Sequence, residues 1–183
     1  MNEMELRIIN IDVDKMREKL LKLPSNLAKK ENQVNKIFDF QDKRLLAQKG
    51  YARIRIVEDI LKNEKHNYMT TKKMISQEKF KIMEENEVEI SDPLEGENIF
   101  YSLGLTLFTS IGRYRESYKY KNTLIEIDIN DEAFCPFPYI EIETQDETEL
   151  QEVLSKLGYT MKDTTTKTIF ELIEEYKAKE SAD

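Results

Sequence analysis

The sequence predicts an α+β fold built on an antiparallel sheet. Three observations carry that reading. Short segments in which apolar and charged residues alternate recur along the chain. Four amphipathic segments with capping residues lie between them. No repeat, Gly/Ser linker or low-complexity block divides the 183 residues.

The strand segments run in order. Met4, Leu6 and Ile8 alternate with Glu3, Glu5 and Arg7, and Phe38 and Phe40 flank Asp39. Ala52, Ile54 and Ile56 alternate with Arg53, Arg55 and Val57, and Met69 to Met74 is a short mixed run containing Lys72. Val88 and Ile90 alternate with Glu85, Glu87 and Glu89; Arg113 and Arg115 alternate with Tyr114 and Glu116. Ile125, Ile127 and Ile129 alternate with Glu126 and Asp128, and Ile140 and Ile142 with Glu141 and Glu143. Successive strand side chains point to opposite faces, so each segment has two unlike faces.

The helices follow from periodicity and caps. Asp12 is a fitting N-cap for a segment through Leu23, with Val13, Met16, Leu20 and Leu23 as its stripe and Pro24 after its end. Asp92-Pro93 opens a second, carrying Ile99 and Leu103 before Gly104. Asp146 to Leu157 is a third, closed by Gly158, and Thr166 to Tyr176 a fourth. Residues 1–173 are read as one domain, and 174–183 as a charged C-terminal tail.

Composition excludes several chemistries. Lys+Arg total 28 against 36 Asp+Glu, a net charge of −8, which argues against a generic nucleic-acid or anionic-membrane partner. A single Cys (Cys135) and a single His (His66) exclude an intrachain disulfide, Cys-rich zinc sites and paired-His metal motifs. The five glycines are too scattered for a phosphate-cradling glycine loop. There is no apolar leader, and no apolar run approaches the ~18 residues of a membrane span. A cytoplasmic protein without a membrane or nucleic-acid partner is expected. His66 reads as a surface residue of a hairpin loop between Lys62 and Asn67, and Cys135 as half-buried packing.

The polar faces are uniform in sign: Glu3 with Glu5, Arg53 with Arg55, Arg113 with Arg115, Glu126 with Asp128, Glu141 with Glu143. Like charges two residues apart on one face repel. Any one such pair fits a solvated face in a chain that is 35% charged. Five together also fit strands that enclose a charged cavity, the acids holding divalent cations and the bases a polyanion. Composition leaves both readings open.

The residues then reach a resemblance. Glu3-x-Glu5-x-Arg7 resembles the E-x-E-x-K signature of the CYTH superfamily, the triphosphate tunnel metalloenzymes that include class IV adenylyl cyclase and thiamine triphosphatase. The likeness continues in order through about residue 173. Phe38-Asp39 resembles Y-F-D; Gly50-Tyr51-Ala52-Arg53-Ile54-Arg55 resembles G-x-x-L-R-x-R, one residue shorter; Met69-Thr70-Thr71-Lys72 resembles L-T-x-K. Arg113-x-Arg115-x-x-Tyr118 resembles K-x-R-x-x-Y, Ile127-Asp128 an L-D strand, and Tyr139-Ile140-Glu141-Ile142-Glu143 resembles F-x-E-I-E. Arg7 and Arg113 stand where the family has lysine, exchanging a point charge for a planar fork suited to phosphate oxygens. Cys135-Pro136-Phe137-Pro138 replaces the glycine usual before the acidic strand.

The resemblance implies an antiparallel eight-stranded β-barrel, open at both ends, with helices packed outside and a charged tunnel within. It implies that Arg7, Arg53, Arg55, Lys72, Arg113 and Arg115 bind the substrate. Glu3, Glu5, Asp128, Glu141 and Glu143 would hold Mg²⁺ or Mn²⁺, with Glu85 and Glu87 as further ligands and Glu3, Glu5 and Glu143 central to catalysis. The implied reaction is metal-dependent hydrolysis of a small-molecule triphosphate, whether tripolyphosphate, a nucleoside triphosphate or thiamine triphosphate. The alternatives are a cyclase, in which a ribose 3′-oxygen attacks the α-phosphorus of ATP and releases pyrophosphate, and a non-catalytic polyphosphate- or nucleotide-binding module. A monomer and a homodimer are both compatible with the sequence. Lys167 is a further residue within reach of a tunnel mouth.

Overall fold

Strand β1 (Asn2–Ile9) closes the sheet, because it pairs with one strand on each side. The computed structural model describes residues 2–180, with side chains from Met4 onward. After β1 come α1 (Val13–Lys22), β2 (Asn26–Asp39), the single turn α2 (Arg44–Ala47), β3 (Tyr51–Asp59), β4 (Glu64–Gln77) and β5 (Lys81–Glu89). Then follow α3 (Pro93–Ser102), β6 (Thr106–Tyr120), β7 (Thr123–Asn130), β8 (Tyr139–Thr144), α4 (Glu147–Leu157) and α5 (Ile169–Glu180). The strands form a closed barrel in the order β1-β5-β4-β3-β2-β6-β7-β8, each neighbouring pair antiparallel. Each strand therefore has a neighbour on both sides.

The apolar faces point outward and are covered by helices. Leu6, Ile8, Ile125, Ile127, Ile140 and Ile142 pack under Met16 and Leu20 of α1 and Leu150, Val153, Leu154 and Leu157 of α4. Phe38, Ala52 and Ile54 pack under Phe100 of α3 and Leu105. Cys135, Phe137 and Tyr139 pack with Leu172 and Ile173 of α5 at one end of the barrel. Burying these side chains outside frees the interior for polar ones, the inverse of most small barrels. The predicted caps are in place. Asp12 accepts from the Lys15 amide (3.1 Å), Asp92 from Leu94 (2.8 Å) and Asp146 from Thr148 (2.7 Å). Gly158 ends α4 at φ 78°, a left-handed conformation that favours glycine.

Three strands are longer than their sequence signal. β2 begins at Asn26 rather than near Phe38, β4 at Glu64 and β6 at Thr106. Along residues 29–36 both faces are mostly polar, one inside the barrel and one in water, so alternation disappears although the ladder continues. The same effect moves His66. It stands in β4, not in a hairpin loop, with Nδ1 2.7 Å from a Glu89 oxygen. Cys135 is fully buried rather than half-buried. α5 starts after Thr168 and runs to Glu180, so the beginning of the charged tail is helical. Thr168 and Glu171 form a reciprocal cap at its start.

Candidate active site

Strand parity and register decide what faces the interior. Residues directly opposite each other share a face, and Glu5 lies opposite Glu143 and Lys81, Arg7 opposite Glu141, and Glu126 opposite Glu141. Arg115 lies opposite Asp128 and Glu31; Arg53 opposite Thr70 and Ile37; Lys72 opposite Tyr51 and Glu85. All these side chains therefore point inward, together with Arg55, Glu87 and Arg113. Gly50 precedes β3 where a Cβ would lie 2.6 Å from the Lys72 carbonyl oxygen, so only glycine lets β3 enter this close to β4.

The interior is polarised along its axis. Two residues of strand advance about 6.6 Å. One such step separates Arg7 from Glu5, Lys81 from Met83, and Arg113 from Arg115. The end nearer α5 holds Arg7, Arg53, Lys72, Lys81 and Arg113, which line a cavity of about 490 Å³. Its carboxylates (Asp42, Glu171 and Glu174) come from outside the barrel strands, on the β2–β3 connection and α5. Tyr51 and Tyr139 also line it. The acids gather beyond these bases, toward the N-terminus of β1.

The acids pair with the bases. Glu5 accepts from Lys81 (2.6 Å) and Arg7, and Arg7 also bonds Glu141. Arg115 grips Asp128 with two bonds (2.6 and 2.5 Å), Glu141 (2.9 Å) and Glu126. Arg113 reaches Asp128 (3.2 Å) and Gln33 (2.6 Å). On the opposite wall Lys72 pairs with Glu85 (2.5 Å), Arg53 with Glu85 and Glu87 (3.3 Å each), and Arg55 with Glu87 (2.8 Å).

Like charges crowd each other in parts of this array. Burial and the neighbouring Arg53, Arg113 and Arg115 pull the Arg55 guanidinium down to about 10, against the opposing pull of Glu87. Burial raises the Tyr51 phenol, but Lys72, Arg53 and Lys81 outweigh it and leave the group below its ordinary value. Burial and Arg7 together lower the Lys81 ammonium, although Glu5 opposes them. Burial likewise raises Glu141, yet Arg7 and Arg115 hold its carboxyl well below the ordinary range. Buried polar atoms without a partner include Nε of Arg7, Arg53 and Arg55, Asn35 Oδ1 and Asn130 Nδ2. An unsatisfied buried donor costs about 1–3 kcal/mol, which a bound polyanion would recover.

The donor chemistry also fits a hard divalent cation. Glu5, Glu126, Glu141 and Glu143 sit on three adjacent strands and offer only carboxylate oxygens. Among the described residues no three acids are drawn together as a cation site. Glu3 pairs through its backbone with Met83, and its side chain lies outside the described residues. Asp128, Glu85 and Glu87 point inward, and each pairs with an arginine. Lys167 does not line the cavity. Its ammonium bonds Glu175, and its carbonyl accepts from Arg7 (2.8 Å).

Lys81 is the inward base that motif reading passes over; its parity with Glu85 and Glu87 was the available signal. Glu31, Gln33 and Asn35 lie in the segment of β2 where alternation fails. The end near α5 is partly roofed rather than open. Thr165 exchanges two backbone hydrogen bonds with Arg7 (2.9 Å each), and Glu171 is tied to Lys49 (2.8 Å) and Gln77 (2.8 Å).

The CYTH domain model matches residues 1–169. A protein from Pyrococcus horikoshii OT3 superposes with a TM-score of 0.78 at 24% identity, covering 95% of this chain and 99% of the other. A candidate adenylate cyclase from Vibrio parahaemolyticus gives 0.73 at 13% identity, covering 94% and 97%. A Hippeastrum protein described as an adenylyl cyclase candidate with a dominant triphosphatase activity gives 0.65 at 18%, covering 91% and 90%. These likenesses show the shared fold. The search of curated proteins finds no match. No helix among the described residues is long and apolar enough to cross a membrane.

Proposed function

The chain belongs to the CYTH domain family, and on that premise we propose that it hydrolyses a triphosphate-containing compound with the aid of Mg²⁺ or Mn²⁺ inside the barrel. One observation carries the proposal. The barrel strands give the cavity five bases and no carboxylate, and three buried donors without partners there belong to Arg7, Arg53 and Asn130.

Arg7, Arg53, Lys72, Lys81 and Arg113 bind the phosphate oxygens, with Arg55 and Arg115 at the acidic end of the chain of phosphates. Asp128, Glu85 and Glu87 hold those guanidinium groups in place. Glu5, Glu141 and Glu143 would hold the cation, with Glu3 and Glu126 as neighbours. A divalent cation bound there supplies charge neutralisation at the phosphate and Lewis acidity.

The ion pairs act as an exchange. When phosphate takes Lys81, Arg7 and Arg115, Glu5 and Glu141 lose their counter-ions and become available to a cation. Bound phosphate and cation therefore strengthen each other's binding. Glu5 and Glu143, opposite each other across β1 and β8, orient the attacking water and receive its proton. Water attacks the terminal phosphorus, the bridging P–O bond breaks, and the leaving oxygen departs with its charge balanced by the arginines.

The test is a panel of tripolyphosphate, ATP and thiamine triphosphate against Mg²⁺ and Mn²⁺, with product analysis. Release of orthophosphate is expected. Cyclic AMP with pyrophosphate from ATP would assign a cyclase instead, and binding without turnover under either cation would assign a binding module.

A further inference from the structure

Arg113 is held differently from the arginine beside it. Arg115, two residues along β6, is gripped by Asp128, Glu141 and Glu126, all carboxylates. Arg113 meets Asp128 at 3.2 Å, but its shorter bonds go to a neutral group. Its Nε (3.0 Å) and Nη2 (2.6 Å) both donate to the amide oxygen of Gln33, the residue directly opposite on β2. The Gln33 amide nitrogen donates in turn to Glu31 (2.5 Å), the next inward residue of that strand.

The chemistry of the partners gives this relay a single sense. Turned over, the amide would set its N–H groups against the guanidinium and its oxygen against a carboxylate, two repulsive contacts. Glu31 therefore fixes which end of Gln33 meets Arg113. The Nε–Nη2 edge is one at which a planar guanidinium can be held in two bonds, which sets its orientation. A carbonyl takes that edge without a charge of its own. A carboxylate there would cancel part of the positive charge that phosphate is to meet. Gln33 is buried, at 3% exposed, and so is Glu31. Arg113 lines the cavity, and Gln33, though it points inward, is not part of that lining. The glutamine can therefore act on a ligand only through the arginine.

We propose that Gln33 is a positioning residue for Arg113, with Glu31 orienting its amide, so that the guanidinium plane is held while its charge stays available to a phosphate oxygen. Without the carbonyl, the freed edge has the Asp128 carboxylate within reach, and Arg113 would close into an ion pair as Arg115 does. The proposal rests on the triphosphate reading of the cavity. It adds a requirement which that reading does not contain, a neutral acceptor at position 33.

The experiment uses the full chain with tripolyphosphate and Mg²⁺. It measures kcat and KM, the Kd of the imido analogue by titration calorimetry, and thermal melting. The variants are Gln33→Met, Gln33→Glu, Arg113→Met and the double variant Gln33→Met with Arg113→Met. Gln33→Met keeps the length of the side chain and removes the acceptor, so KM and Kd should rise by about tenfold while kcat stays within about threefold. Gln33→Glu keeps the acceptor and adds a charge, and should weaken binding by at least about threefold. In the Arg113→Met background, Gln33→Met should change Kd by less than about twofold, because its action passes through the arginine. Three results overturn the positioning role and leave the triphosphate site standing: a folded Gln33→Met protein with the parental Kd, an equal loss in the Arg113→Met background, or parental affinity in Gln33→Glu. If Gln33→Met does not fold, the Gln33→Glu affinity decides alone. Absence of both binding and turnover in the parent overturns the positioning role and the triphosphate site together.

Discussion

Replacing Lys81 by methionine is the sharpest perturbation of the site, because no motif points to this residue and the geometry does. Its side chain is 8% exposed, and its ammonium lies 2.6 Å from a Glu5 oxygen. Glu5 keeps Arg7 as a second partner in the variant, so its carboxylate is not stranded. The stability cost should stay near that of one charged hydrogen bond, about 1.5–3 kcal/mol, and below the 3–5 kcal/mol of a fully orphaned buried charge. In the bound state the same ammonium is assigned to a phosphate oxygen. Losing that contact should remove about 1.5–3 kcal/mol from transition-state binding, a fall of roughly 10- to 150-fold in kcat/KM. Thermal melting and steady-state phosphate release on the same preparation separate the two effects. A folded Lys81→Met protein with kcat/KM within twofold of the parent would refute the assignment of Lys81 to the substrate.

Glu5→Gln keeps the shape of its side chain and removes its charge, so turnover should fall by at least about a hundredfold and the tightening of triphosphate binding by Mg²⁺ should shrink; Arg55→Ala should mainly raise KM or Kd, by about tenfold. Titration calorimetry beside steady-state kinetics checks both. The lowered Glu141 carboxyl contributes stability above the unfolded value of about 4.3, and that stability is lost as pH falls through the still lower folded value. Glu141→Gln should therefore melt lower than the parent at pH 7 and lose less stability between pH 5 and pH 2, as melting curves across that range would show. Leu154→Ala, in the fully buried seam between α4 and the barrel, should cost about 2–5 kcal/mol in denaturant unfolding while leaving KM unchanged, since it faces away from the tunnel.

The barrel was legible wherever its two faces differ. Leu6, Ile54, Ile127 and Ile142 lie under helices while Glu5, Arg53, Asp128 and Glu141 face inward, so hydropathy and register carry the same message. The signal fails where both faces are polar. In β2, Lys29, Lys30 and Asn32 meet water while Glu31, Gln33 and Asn35 meet the tunnel, and the strand leaves no period-two trace. Inward charges could be read as like-signed pairs, but which acid meets which base depends on strand order. β1 neighbours β5 only because the barrel closes, and that closure alone brings Lys81 to Glu5. The cluster of Phe108, Phe134 and Phe170 was illegible for a related reason. The three are distant in sequence and meet only after α5 crosses the end of the barrel.

The central claim is that the interior exchanges its own ion pairs for a polyanion and a cation. The direct measurement is calorimetric titration of the full chain with a non-hydrolysable imido analogue of triphosphate, with and without saturating Mg²⁺. The account predicts one site per chain, and binding at least about tenfold tighter when the cation is present. Absence of binding, or an affinity that Mg²⁺ does not change, would contradict it.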